Sequence, residues 1–198
     1  MKKSIIGLAT AFLFILITRG ICFAGFTYQD FEPNNGSSQY GWQMGSIMYT
    51  WAGFSSGSEP VHSGTRSWKL ATDHYTYWAQ TGIGSQVNPG NTDLDVNRTD
   101  RLCIWVYPLP QWGGNHTLGI RFFDKGLYAN DGFEIWTTNT AAYNSWTELH
   151  VLFSQLPDDF DLGHITRLVL TMYWPGTYYF DDISVVRQDR AYQTFEPG

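Results

Sequence analysis

"ITRLVLTMYWPGTYYFDDISVV" (Ile165 to Val186) carries the pattern on which the fold turns. From Arg167 to Trp174, Leu168, Leu170 and Met172 fall on one side of an extended chain, and Thr171 and Tyr173 fall on the other. That period of two predicts a strand over 167–174, and the aromatic and β-branched run beyond the Pro-Gly step predicts another over 178–187. The same alternation recurs upstream. In "RLCIWVY", Leu102, Ile104 and Val106 oppose Cys103, Trp105 and Tyr107; in "TLGIRFF", Leu118, Ile120 and Phe122 oppose Arg121 and Phe123; in "GFEIWT", Phe133 and Ile135 oppose Glu134 and Trp136. Further strands are expected near 26–32, 42–51, 66–72, 75–83 and 146–153, with one helical turn within 158–165. No sustained helical period follows residue 25, so the chain is expected to be all-β, a two-sheet β-sandwich or jelly roll.

In each of these strands an aliphatic side suits the core, while the other side mixes aromatic rings with Arg, Glu or Thr. A merely solvated face would carry few large rings. Indole and phenol rings stack on the C–H face of a sugar, and arginine and carboxylate side chains take its hydroxyls in paired hydrogen bonds. Trp105, Tyr107, Arg121, Glu134, Trp136 and Tyr173 are therefore expected to line one sheet face that binds a polysaccharide or glycan, with Trp78 and Gln80 extending it. Trp146 opens a strand and reads as a structural ring.

Acidic residues make a second grouping. Asp30 and Glu32 flank the first strand, and Asp181 and Asp182 stand side by side in the last. First and last strands of a sandwich commonly pair, so these carboxylates are expected to converge. Adjacent acids in an apolar strand are costly to bury without a cation or hydrogen-bond donors; the alternative is a bulge with its acids in water. Oxygen ligands without neighbouring His or Cys point to Ca²⁺ rather than zinc.

The rest of the sequence sets bounds. Met1 to Ala24 has a basic start, an apolar core and "CFA" before Gly25, the pattern of a secretory signal peptide, so the protein is expected to be secreted or periplasmic. The apolar core is shorter than the roughly 20 residues a bilayer span needs, and the residues before Cys22 do not match a lipobox. Of 12 Lys and Arg, three lie in that segment, so the remainder sets nine against 18 Asp and Glu, a net charge of −9. Such a chain does not track nucleic acid. Cys103 alone survives maturation, which excludes an intrachain disulfide and suits a buried thiol. "DLDVN" (Asp93 to Asn97) fails as an EF-hand loop, since Arg98 stands where Gly is needed. Asn35, Asn97 and Asn115 head glycosylation triplets that matter only in a eukaryotic secretory route.

The ordered series "DFEP", "HSGTRSWKL", "DRLCIWVYPL", "LGIRFFD", "WTELHVLFSQL" and "YYFDDISVV" resembles the jelly-roll carbohydrate-binding modules of the galactose-binding-like fold, over residues 26–187. The protein is expected to be a monomeric, non-catalytic module, and the resemblance implies glycan bound on a concave sheet. It also implies a structural Ca²⁺ held by Glu32, main-chain atoms of the Ser63 to Arg66 loop, and Asp181, with Asp30 and Asp182 as alternates. Such modules usually accompany a catalytic domain, and none lies in this chain. On this reading residues 1–24 are the signal, 25–188 the domain and 189–198 a tail. "YQTFEPG" in the tail repeats "YQDFEP" of the first strand, as if opening a second module. Two other classes remain open: a cell-surface adhesion module, and a small glycoside hydrolase or lyase. The latter would pair Glu134 with Asp124 or Asp131.

Overall fold

The computed structural model describes residues 25–29, 31–32, 42–44, 50–72, 79–83, 94, 96–110, 116–124 and 132–187, with 25–29, 42–44, 50–51 and 79–83 given by their backbone. The expected signal peptide, Asp30, Trp78, Asp131 and the repeated tail phrase lie outside the described residues.

Eleven strands are described: β1 (Gly25–Gln29), β2 (Trp42–Met44), β3 (Thr50–Phe54), β4 (Trp68–Thr72), β5 (Ala79–Ile83), β6 (Arg101–Pro110), β7 (Gly119–Phe123), β8 (Phe133–Trp136), β9 (Thr147–Leu152), β10 (Arg167–Met172) and β11 (Gly176–Val186). They form two antiparallel sheets. The first has the order β3-β4-β11-β6-β9, with β1 also paired to β11; the second runs β2-β5-β10-β7-β8. This is the all-β jelly-roll sandwich expected from the alternation. The helical turn expected within 158–165 is the 3₁₀ turn Leu162–His164, and a second such turn spans Phe153–Gln155. Among the described residues no helix is long and apolar enough to cross a membrane.

One element is corrected. The single strand expected over 42–51 is two strands, β2 and β3, and they belong to different sheets. Gly45 and Ser46 interrupt the apolar pattern between them, and glycine weakens a continuous strand.

The aliphatic sides meet in the middle. Leu102, Ile104 and Val106 of β6 and Tyr178 and Phe180 of β11 face Leu118, Ile120 and Phe122 around β7 and Leu168 and Leu170 of β10, all fully buried. Burial of this kind contributes about 25 cal/mol per Å² of apolar surface and is the main force holding the sheets together. The Tyr178 hydroxyl is kept satisfied inside by donating to the Trp174 carbonyl at 2.9 Å.

Candidate functional site

β11 supports two neighbours along one edge. β4 pairs with its first half, Thr177 to Phe180, and β1 with its second, Ile183 to Val186. Between them the register of β11 breaks at Asp181 and Asp182, where Asp182 takes a φ of 44°. Tyr178 and Phe180 point inward before the break and Ile183 and Val185 after it, so the extra residue of this bulge turns both carboxylates to the same outer side. The loop leading into β4 and the residues leaving β1 both run into this gap, which is why acids distant in sequence gather there.

The carboxylates hold the loop by its main chain. Asp181 Oδ2 accepts the N–H groups of His62 (3.0 Å) and Ser63 (3.2 Å). Asp182 accepts from the Ser63 hydroxyl at 2.9 Å, and its other oxygen lies 2.6 Å from His62 Nδ1. Glu32 accepts from Thr65 N–H (2.7 Å), Thr65 hydroxyl (2.7 Å) and Arg66 N–H (3.1 Å). Gly64, at φ +65°, fits beneath the Glu32 carboxylate: a Cβ there would stand 2.3 Å from Oε1. Burial raises the Glu32 pKa, but the bonds from Thr65 and Arg66 outweigh it and hold the carboxyl below its ordinary value. Asp181 is different. It has no exposed surface, and burial, with the Asp182 charge adding, pushes its carboxyl up to about 7 against the N–H bonds it accepts.

Three carboxylates around one loop suit a hard cation, and the uncompensated charge of buried Asp181 would be relieved by one. Among the described residues no group of three His, Cys, Asp or Glu is close enough to hold a metal by itself. A Ca²⁺ here would need carbonyl oxygens to complete its shell, whereas the loop meets the carboxylates with N–H groups.

The anchored loop covers the outer face of the first sheet. The His62 ring stacks on Trp105 at 3.9 Å and 17°, and Trp146 stands edge-on to His62 at 5.4 Å. Tyr107 lies against Trp146 and Tyr179 and donates its hydroxyl to Asn144 at 2.6 Å. Cys103 is buried beside them; burial, with Glu148 adding, raises its thiol pKa to about 12, so it stays protonated.

Here the expected single binding face is corrected. β6 pairs with β9 and β11 in the first sheet, while β7, β8 and β10 make the second. Trp105 and Tyr107 therefore lie on the opposite outside of the sandwich from Arg121, Glu134, Trp136 and Tyr173. Alternation tells inside from outside within a strand but not which sheet the strand joins.

On the second sheet the remaining four do come together. Arg121 and Glu134 are cross-strand partners, with Nη2 donating to Oε2 at 3.0 Å. Tyr173 donates to the other Glu134 oxygen at 2.9 Å, and its ring lies 4.8 Å from that of Trp136 at a tilt of 33°. Gly119, the cross-strand partner of Trp136, makes room for this: a Cβ there would stand 2.3 Å from Glu134 Oε1. Burial, then Glu134 as bond partner and as charge, raises the Tyr173 pKa, keeping the phenol a donor. Trp136 and Tyr173 are 44% and 37% exposed, a pair of rings left partly in water, whereas Trp174 lies against His116 at 5.8 Å. Arg167 is a site neighbour outside the expected set. Arg167 belongs to the same alternating side as Thr171 and Tyr173, so that period was the signal for it.

No family model matches the chain, and no curated protein matches it. Solved structures do. A family 11 carbohydrate-binding module of a Clostridium thermocellum cellulosomal cellulase superposes with a TM-score of 0.55 at 12% identity, covering 84% of this chain and 96% of that one. A xylan-binding family 22 module from Paenibacillus barcinonensis gives 0.53 at 14% identity, covering 81% and 98%. The fold is that of the jelly-roll carbohydrate-binding modules. A Clostridium thermocellum xylanase structure, family 22 module plus hydrolase module complexed with xylohexaose, gives 0.52 at 14% identity over 82% of this chain, which spans only 28% of that longer one.

The buried aspartate makes stability depend on pH. The folded-state pKa of Asp181, about 7, is above its ordinary 3.8, so its contribution is fully present below about pH 4 and lost as pH rises towards 7. In chelator-containing buffer the melting temperature is expected to fall across that window, and Asp181→Asn to remove most of the fall. A wild-type melting temperature that rises from pH 5 to pH 7 would contradict this.

Proposed function

We propose that this chain is a secreted, non-catalytic module that binds polysaccharide or oligosaccharide on the outer face of its second sheet. The observation that carries the reading is the exposed Trp136–Tyr173 pair standing beside the hydrogen-bonded Glu134 and Arg121. The rings offer apolar surface for the C–H face of a sugar, and the ion pair offers a fixed donor and acceptor for its hydroxyls. The fold agrees, being shared with modules described as xylan-binding or complexed with xylohexaose. Binding on an open, wet face leaves a small surplus of free energy, so the affinity is expected to be weak to moderate.

Hydrolysis would need two carboxyl groups flanking the scissile bond. Among the described strand residues of this face Glu134 is the one carboxylate; of its two suggested partners, Asp124 accepts the Asp161 N–H at 3.0 Å and Asp131 lies outside the described residues. This favours binding over catalysis. Residues 1–24 would direct export.

The two outer faces differ in role. Trp136→Ala should weaken retention on an insoluble or gel-borne polysaccharide about tenfold, about 1.4 kcal/mol, with the melting temperature unchanged. Trp105→Ala should do the reverse, costing about 2 kcal/mol of stability while retention persists. Retention lost with Trp105→Ala and kept with Trp136→Ala would place the sugar on the wrong sheet.

We further propose that Ca²⁺ binds at the β11 bulge through carboxylates drawn from Glu32, Asp181 and Asp182, which would have to close in and exchange loop N–H groups for carbonyl oxygens, and that it serves the fold rather than the sugar. Adding Ca²⁺ at pH 7 should raise the melting temperature, with little effect at pH 4, where Asp181 is protonated. An equal rise in an Asp181→Asn variant would count against the site.

A further inference from the structure

The second sheet carries a charge that a neutral sugar does not use. Arg167 is the cross-strand partner of Phe123, and Arg121 the partner of Val169, which makes the two arginines diagonal neighbours on the outer face. Glu134 is the one carboxylate among the described strand residues there, and it is already bonded by Arg121 and Tyr173. The Arg167 guanidinium rests on the Phe123 ring, 5.0 Å from its centroid, and among the described residues no carboxylate lies within ion-pair distance of it. Arg121 keeps a buried Nε–H with no partner among the described residues. Among the described strand residues of this face, two guanidinium groups stand against one carboxylate, in a chain of net charge −6.

Like charges are not placed side by side at no cost. Burial first, and the charge of Arg121 second, lower the Arg167 pKa, so an anion between the two groups would be welcomed. Guanidinium matches a planar carboxylate in two parallel N–H to oxygen bonds, which a sugar hydroxyl cannot equal. From Arg167 to Tyr173 the strand path runs six residues, about 20 Å. A short glycan could therefore stack on Trp136 and Tyr173 at one end and place an acidic substituent at the other.

We propose that the glycan bound by this face is acidic, carrying uronic-acid carboxylates that are received by Arg121 and Arg167. The inference rests on the carbohydrate-binding reading above, and the following test separates the two. Wild-type protein is run by affinity electrophoresis through polygalacturonate, alginate and glucuronoxylan, each beside its carboxyl-reduced counterpart, and through dextran and dextran sulfate. At least one uronate polymer is expected to retain the protein about tenfold more strongly than its reduced form, and dextran sulfate no better than dextran. Raising NaCl to about 1 M, where the Debye length is about 3 Å, should weaken uronate retention alone. Arg167→Gln, melting like wild type, should lose the preference for the acid while keeping any affinity for the reduced polymer. A preference that survives in a folded Arg167→Gln variant would overturn the assignment of this residue. Equal retention by acid and reduced forms, binding to neutral polymers alone, or equal attraction to any polyanion would overturn the proposal and leave the carbohydrate reading in place. No retention by any polymer would overturn both.

Discussion

The break in β11 is the constraint on which the rest of the molecule depends. A regular strand would send Asp181 outward and Asp182 into the apolar core, at a cost of several kcal/mol for an unpaired buried charge. The one-residue bulge avoids this and sets both carboxylates on the same side, in the gap between β1 and β4. Those two strands leave their ends at that gap, so the Glu32 carboxylate and the loop N–H groups arrive where the aspartates stand. A local defect in one ladder thus fastens the sheet's first and last strands to a loop from its middle.

The fastened loop decides what each outer face is available for. It carries His62 onto Trp105 and, with Trp146, roofs the aromatic side of the first sheet. Those rings are half-buried against one another and His62, and the Tyr107 hydroxyl is bonded to Asn144. On the second sheet the rings of Trp136 and Tyr173 stay partly exposed, and the Glu134, Arg121 and Tyr173 polar groups beside them are fixed by each other. Fixing those groups beforehand lowers the ordering cost of binding, which is what a weak, wet interface most needs. Gly119 shows how narrow the arrangement is, since a single added methyl would meet the Glu134 carboxylate.

Much of this was legible in the sequence. The alternation in "RLCIWVY", "TLGIRFF" and "RLVLTMYW" gives the core-facing residues of β6, β7 and β10, because the side-chain period of a strand is a local property, while the outward Cys103, Phe123 and Thr171 are buried as well. The adjacent acids of "YYFDDISVV" announced either a bulge or a charge cluster, and the structure has a bulge that forms a cluster. What was not legible was partnership. β6 and β7 follow one another in sequence yet sit in different sheets, a consequence of long-range pairing with β11 and β10, and so Trp105 and Tyr107 were grouped with residues they never meet. The division of 42–51 into β2 and β3 has the Gly45-Ser46 step as its local signal, but the sheet each half joins is again a matter of partnership. Arg167 shares the parity of Tyr173, but the first residue of a strand reads as a boundary.

The central claim is that sugar meets the second sheet and leaves the roofed first sheet alone. The most direct measurement is a titration of assigned indole N–H resonances with any oligosaccharide the protein retains, followed by nuclear magnetic resonance. Shifts are expected for Trp136, with Trp105 and Trp146 stationary. Movement of Trp105 and Trp146 while Trp136 stays in place would contradict it.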